Sequence, residues 1–335
     1  MMIRYVLPIV ALSLTACGKS ADDTADSSDP GCGVEVRATY PGNQSTDFYY
    51  RGYIEFQLSQ PDETAVLSID GVDGVSTLNS RMDTVFFTPD ENLEPATTYT
   101  ASLDYCSGSP SIEFTTSSLG ASLESEVDIT QQTYRLDLQS GRVVVPEGVG
   151  AVLQDYLDFQ ILIQPTTVEN DSITMLGALA SDLDNNYQDY CDPTIEFPIA
   201  DFSDAPYFQI GPQSTTIAVS DYSLSIENLL ISGTISEDGT WFGGGSLSGE
   251  IDTRPLVPLL FEGEDDENAI CDFILGFGVS CIPCFGDEEV PFCLEILAIE
   301  LEADSTSGPT VEMIEQEDCH EECAVSIDNP ECILE

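Results

Sequence analysis

The chain reads as a mainly β protein. It is expected to hold a β-sandwich over residues 32–118, then a larger antiparallel β-sheet or barrel-like domain over residues 119–335, with one or two short helices and a cysteine-rich cap. Three observations predict this. Apolar and polar residues alternate over short runs, the period-two pattern of a strand with one buried face. Glycine, proline, aspartate and asparagine bound those runs, and their backbone preferences and side-chain hydrogen bonds make turns. Cysteines crowd the second half, at positions 191, 271, 281, 284, 293, 319, 323 and 332, where they can staple loops. With 335 residues and 42% hydrophobic content, the chain is long enough for two domains, each with its own core.

Charge narrows the partners. Sixty-one acidic residues face eight basic ones, a formal net charge of -53. Nucleic acid and anionic lipid headgroups are repelled by such a surface and are excluded. The excess reads as a solvated acidic exterior suited to saline or calcium-rich surroundings, with non-specific calcium association. Asp182, Asp184, Asn185 and Asn186 form the best local cation candidate, but they lack the turn glycine and twelfth-position glutamate of a helix-loop-helix calcium loop. Asp265, Asp266 and Glu267 read equally well as an exposed loop. No cofactor or specific metal is expected.

Residues 1–16 carry one charge, Arg4, followed by an apolar run. That run is about half of the roughly 20 residues a membrane span needs, so it reads as a cleavable export signal. Its ending, Leu14-Thr15-Ala16-Cys17, resembles the lipobox of bacterial lipoproteins. The resemblance implies cleavage before Cys17, which then becomes a diacylated and N-acylated first residue. Ordinary secretory cleavage after Gly18 is the alternative. Cysteine parity agrees with acylation, since removing Cys17 from eleven leaves an even ten. Two or three acyl chains on one residue make a stable anchor. Gly18 stands where an aspartate would favour inner-membrane retention, so the resemblance implies the outer membrane of a two-membrane bacterium, facing the periplasm or the cell surface. Residues 17–31 then form a lipidated acidic tether, about 14 residues spanning roughly 20 Å.

In the first unit Ile54, Phe56 and Leu58 alternate with Glu55, Gln57 and Ser59 as a half-buried strand; further strands are read at 66–69 and 84–88. Leu93, Pro95 and Tyr99 resemble the L-x-P-x-T-x-Y entry into the sixth strand of immunoglobulin-like and fibronectin-like sandwiches, where a corner tyrosine bonds back to upstream backbone. With Phe87-Thr88-Pro89 ahead and Phe114-Thr115-Thr116 behind, the unit resembles the bacterial Ig-like domain of the S-layer SbsA type. Such domains are spacers or adhesive modules. This chain departs from them in holding Cys32 at the first strand and Cys106 near the last hairpin. In an oxidising compartment the two are expected to pair, closing a loop of roughly 75 residues worth nominally about 4 kcal/mol.

In the second unit strands are read at 134–145, 158–164, 172–180 and 215–220, and a long hairpin at 222–236 and 240–252 around the turn Ser236-Glu237-Asp238-Gly239-Thr240. Gly243-Gly244-Gly245 lies strand to strand with no following lysine, so it reads as a bulge or close backbone approach and not a phosphate loop. Helices are read at 148–157 and 267–275. The cysteines admit three readings. Cys281 to Cys284, "CIPC", resembles the C-x-P-C of thioredoxin-like oxidoreductases, but the strand-helix alternation of that fold is missing. Zinc would join CIPC to Cys319 and Cys323, with His320. A disulfide-stapled cap is the third reading, with 105 pairings open. His320 is the only histidine, and no carboxylate pair stands out, so no catalytic residue is expected. The reading that results is a non-enzymatic cell-envelope lipoprotein, a structural or binding module with a protein or glycan partner. The alternative is a carrier of a lipid or small apolar ligand. The inward face of the long hairpin separates them: packed for a scaffold, hollow for a carrier.

Overall fold

A computed structural model of the chain describes residues 32–146, 160–181, 184–190, 192–219, 222–261, 266–284 and 290–315. The signal and tether, the helix expected at 148–157, and Cys191, Cys319, His320, Cys323 and Cys332 lie outside the described residues.

The first seven strands are β1 (Val36–Tyr40), β2 (Ile54–Leu58), β3 (Val66–Ile69), β4 (Gly74–Leu78), β5 (Thr84–Pro89), β6 (Thr98–Asp104) and β7 (Ser111–Thr115). They form two sheets, β1-β2-β5-β4 and β3-β6-β7, the four-plus-three arrangement of an Ig-like sandwich. Alternation does what it promised. Ile54, Phe56 and Leu58 are buried, as are Leu67 and Ile69, Val85 and Phe87, and Ile112 and Phe114. Their side chains meet between the sheets in one cluster. At the corner entering β6 the Tyr99 hydroxyl accepts from the Glu94 amide at 2.8 Å, tying the turn to the strand it opens. Cys32, ahead of β1, is bonded to Cys106, in the β6–β7 hairpin, so the staple crosses from one sheet to the other.

Ten strands follow: β8 (Tyr134–Asp137), β9 (Arg142–Val145), β10 (Gln160–Glu169), β11 (Ser172–Leu179), β12 (Ile195–Glu196), β13 (Ala200–Asp201), β14 (Tyr207–Val219), β15 (Tyr222–Ile235), β16 (Trp241–Asp252) and β17 (Cys293–Ser305). Eight of them close on themselves in the order β8-β17-β16-β15-β14-β13-β11-β10, with β10 returning to β8. All of the pairings are antiparallel. The ring is an antiparallel barrel. Strands β9 and β12 lie off this path, on β17 and β11.

Several strand readings change. The strand read at 215–220 begins at Tyr207, the one read at 158–164 runs on to Glu169, and the short β12 and β13 are not among those read from sequence. The run 134–145 is two strands along one edge of β17, with Ala303 opposite Leu136 and Ala298 opposite Val143. Between them Asp137 takes a turn for itself, its carboxylate accepting from the Gln139 amide at 2.8 Å and its carbonyl from the Ser140 amide at 3.1 Å. A short acceptor beside its own backbone competes with the sheet ladder and wins here. The larger omission is β17 itself. No strand is read over Cys293 to Ser305, amid the crowded cysteines; the segment is a 13-residue strand, central to the ring.

Barrel interiors of eight strands are just wide enough for side chains to fill. Here they do. Tyr134, Phe208 and Phe242 meet edge to face, with ring centroids 5.6 and 5.5 Å apart, and Ile163, Ile173, Ile231, Ile235 and Leu301 surround them. The Tyr134 hydroxyl donates to the Gly239 carbonyl at 2.8 Å, so the hairpin turn is anchored to the first barrel strand. In that turn Asp238 accepts from the Ser236 and Thr240 hydroxyls at 2.8 Å each, and these bonds hold its carboxyl below the usual range. Gly239 sits at φ +70°, where a side chain is strained.

A helix, Ala269–Leu275, lies where 267–275 predicts one. Its buried Ile270 and Ile274 pack on Val257 and Leu294, so the cap is a small satellite core seated against the start of β17.

Candidate functional site

The described cysteines decide part of the chemistry. Cys271 is bonded to Cys281 and Cys284 to Cys293. The two cysteines of CIPC therefore have different partners, and the dithiol pair that thioredoxin-like exchange requires is divided. The same bonds occupy the sulfurs that a zinc site would draw from this motif. Among the described residues, the tight groupings of metal-ligand side chains are Cys32 with Asp62 and Cys106, and Glu250 with Cys284 and Cys293. In both, the sulfurs are bonded to each other. Asp62 is instead a loop brace. Its carboxylate accepts from the Thr64 amide and hydroxyl at 2.9 and 2.6 Å and from the Cys106 amide at 2.8 Å. Burial pushes its pKa up, and these bonds more than reverse that.

The acidic calcium candidates are also turn residues where described. Asp184 accepts from the Asn186 amide at 3.0 Å, and Asp266 from the Asn268 amide at 3.0 Å; Asp182 and Asp265 lie outside the described residues. These carboxylates close Asx turns, the commonest use of a loop aspartate.

The densest polar and aromatic constellation lies where sandwich meets barrel. The loop joining β1 to β2 carries Tyr49, Tyr50 and Arg51, and the barrel presents Gly243-Gly244-Gly245 opposite them. Pairing registers slip on both sides of this run, between Ser232 and Thr234 on β15 and between Phe242 and Ser246 against β17. The glycine run is thus a bulge and a close approach together. Gly244 has φ +57° and a Cβ there would fall inside the Tyr49 ring. The Tyr49 hydroxyl reaches past it to the hydroxyl of Thr234, 2.8 Å away and fully buried. Burial holds the Tyr49 phenol well above its ordinary pKa, so it stays neutral. Arg51 donates to the Tyr50 hydroxyl at 2.9 Å, pairs with Asp204, and lies over the Tyr207 ring at 3.7 Å. Trp241 of the barrel packs on the sandwich core. On the other flank Tyr40 and Arg142 converge on Glu300, each at 3.4 Å.

Beside this junction a groove of about 470 Å³ opens, lined by Tyr50, Arg51, Tyr53, Phe86, Glu91 and Asn92 among others. Sequence reading missed it, because its residues come from the β1–β2 loop, the outward face of β5 and the loop after it. The glycine run was the one visible signal of the junction.

No family model matches the chain, and no curated protein matches it. Among solved structures, an L,D-transpeptidase from Mycobacterium smegmatis aligns at 14% identity over 45% of this chain and 81% of that one, with a TM-score of 0.23. The N-terminal part of the bacterial S-layer protein SbsC aligns at 10% identity over 45% of this chain and 41% of that one, with a TM-score of 0.21. Domains 1–6 of SbsC align at 13% identity over 65% and 32%, with a TM-score of 0.20. Likenesses this loose transfer neither a fold nor an activity.

Proposed function

We propose that the protein is a non-enzymatic structural or binding module of the cell envelope, held to the outer membrane through acyl chains on Cys17. The observation that carries this reading is the state of its sulfur. Every described cysteine is in a disulfide, the condition of a chain that matures outside the reducing cytosol. The filled barrel interior favours a scaffold over a carrier, since the inward faces of β15 and β16 contribute Ile231, Ile235 and Phe242 to a packed core. The interlocked junction favours a spacer that transmits position: Tyr49 over Gly244 and Arg51 between Asp204 and Tyr207 oppose independent motion of the two units.

The test is palmitate labelling and membrane fractionation of wild type against Cys17→Ser. Wild type should carry label and sediment with outer membranes, and the variant should do neither. Identical soluble, unlabelled forms of both would sink the anchor.

A further inference from the structure

We propose that the groove beside the junction binds a neutral oligosaccharide. This deepens the reading of the protein as an envelope binding module by naming the class of partner.

Three aromatic rings run across the outer face of the β1-β2-β5-β4 sheet. Tyr40 and Tyr53 have centroids 6.2 Å apart, and Tyr53 and Phe86 have centroids 5.7 Å apart. They are not core. Tyr40 is 42% and Tyr53 40% exposed, and Phe86 is half-buried between buried Val85 and Phe87. A folded sheet gains little by standing large rings in water, and a contiguous exposed apolar patch rimmed by polar groups marks a binding surface. The rim here is polar: Thr77, Thr88, Glu91 and Asn92 edge the groove. Half-exposed rings beside hydroxyl, amide and carboxylate groups suit a sugar, whose ring offers an apolar face and a hydroxyl-bearing edge. A volume of about 470 Å³ lies within the usual range for a small-ligand pocket.

Charge selects among glycans. The chain as a whole is formally -53 and repels polyanions. The two arginines flanking the groove are already matched, Arg51 by Asp204 and Arg142 by Glu300, and Arg142 also lies against Tyr53. Matched pairs leave no surplus positive charge for an acidic sugar. Arg142 reaches Tyr53 from the barrel side, while the groove itself is lined by sandwich residues alone.

The test is retention of the purified full chain on immobilised cellulose, chitin and mannan, with alginate as the anionic control. Retention is expected on at least one neutral polymer and not on alginate. Tyr53→Ala and Phe86→Ala should each weaken it about tenfold, the loss typical of truncating an aromatic anchor. Tyr53→Phe, which keeps the ring, should retain binding, and unchanged melting temperatures should show that the partly exposed rings are not holding the fold. The proposal is overturned by absence of retention on all three neutral polymers, by retention that ignores the loss of either ring, or by stronger retention on alginate. It is also overturned if Tyr53→Ala converts a dimer to a monomer in sedimentation, which would make a second copy the occupant. Because binding is read on purified protein, failure here leaves the Cys17 anchor standing, and failure of the anchor leaves the groove standing.

Discussion

The sandwich and the barrel manage open sheet edges in different ways. The sandwich keeps two small sheets with free edges and ties them together covalently, by the Cys32–Cys106 bond that runs from ahead of β1 to the β6–β7 hairpin. The barrel removes its edges by closing, but its ring passes through β13, two residues long, which meets β14 at a single residue pair. Closure therefore depends on the packed interior rather than on continuous hydrogen bonding at that seam. Local, stapled order on one side and long-range, core-dependent order on the other meet at Gly244, where Tyr49 joins them.

That contrast can be broken from the barrel side first. Phe242→Ala removes the ring shared by Tyr134 and Phe208 and should cost about 3–5 kcal/mol. Calorimetry should show a lowered barrel transition, with near-native sandwich signals persisting above it. Equal loss of both units would mean that the sandwich has no stability of its own.

From the sandwich side, the double variant Cys32→Ser, Cys106→Ser should cost about 2–5 kcal/mol by releasing the denatured chain from its loop constraint. Amide exchange should quicken in β1 and β6–β7 and stay slow in β15 and β16. Faster exchange throughout the barrel would show that the staple serves both.

Gly244→Ala addresses the junction itself. The added methyl meets the Tyr49 ring and requires an unfavourable backbone angle, and overpacking of this kind costs about 1–3 kcal/mol. The expected outcome is a change from coupled to separate melting of the two units, together with a Tyr49 hydroxyl that ionises at lower pH once out of its buried site. A single sharp transition, unmoved, would falsify the interlock.

The smallest effect belongs to the corner. Tyr99→Phe removes one acceptor for the Glu94 amide and should lower sandwich stability by about 1 kcal/mol, without reaching the barrel. A larger loss would place Tyr99 among the residues that fix the sheet-to-sheet angle.

Strands whose pattern is local were legible. Ile54, Phe56 and Leu58 alternate and one face is buried; Tyr99 announces its corner five residues after Glu94; the Ser236–Thr240 turn declares a hairpin, because each depends on neighbours within a few positions. The break after Asp137 was harder, since Val143, Val144 and Val145 resume the apolar run and only the Asp137 turn interrupts it. β17 was hidden by its company: cysteines at 281, 284 and 293 suggest loops, while Cys293 opens the strand whose far end makes the longest-range pairing in the ring, with β8. The groove was invisible for a related reason. Tyr53 lies far along the chain from Phe86 and Asn92, and each alone reads as an ordinary surface or sheet residue.

What the sequence alone determined is therefore the set of parts: a mainly β chain, two units, a glycine run that must be a bulge or a close contact, and a strongly acidic surface. These follow from side-chain period, turn chemistry and charge, all properties of short stretches or of simple sums. The tertiary structure alone decided that eight strands close into a ring, that CIPC is split between Cys271 and Cys293, and that Tyr49 is the group pressed onto Gly244. The ring and the junction are contacts between residues distant in the chain, selected by which apolar faces can be buried together; the CIPC bonds span only 10 and 9 residues, but spacing does not choose among neighbouring thiols.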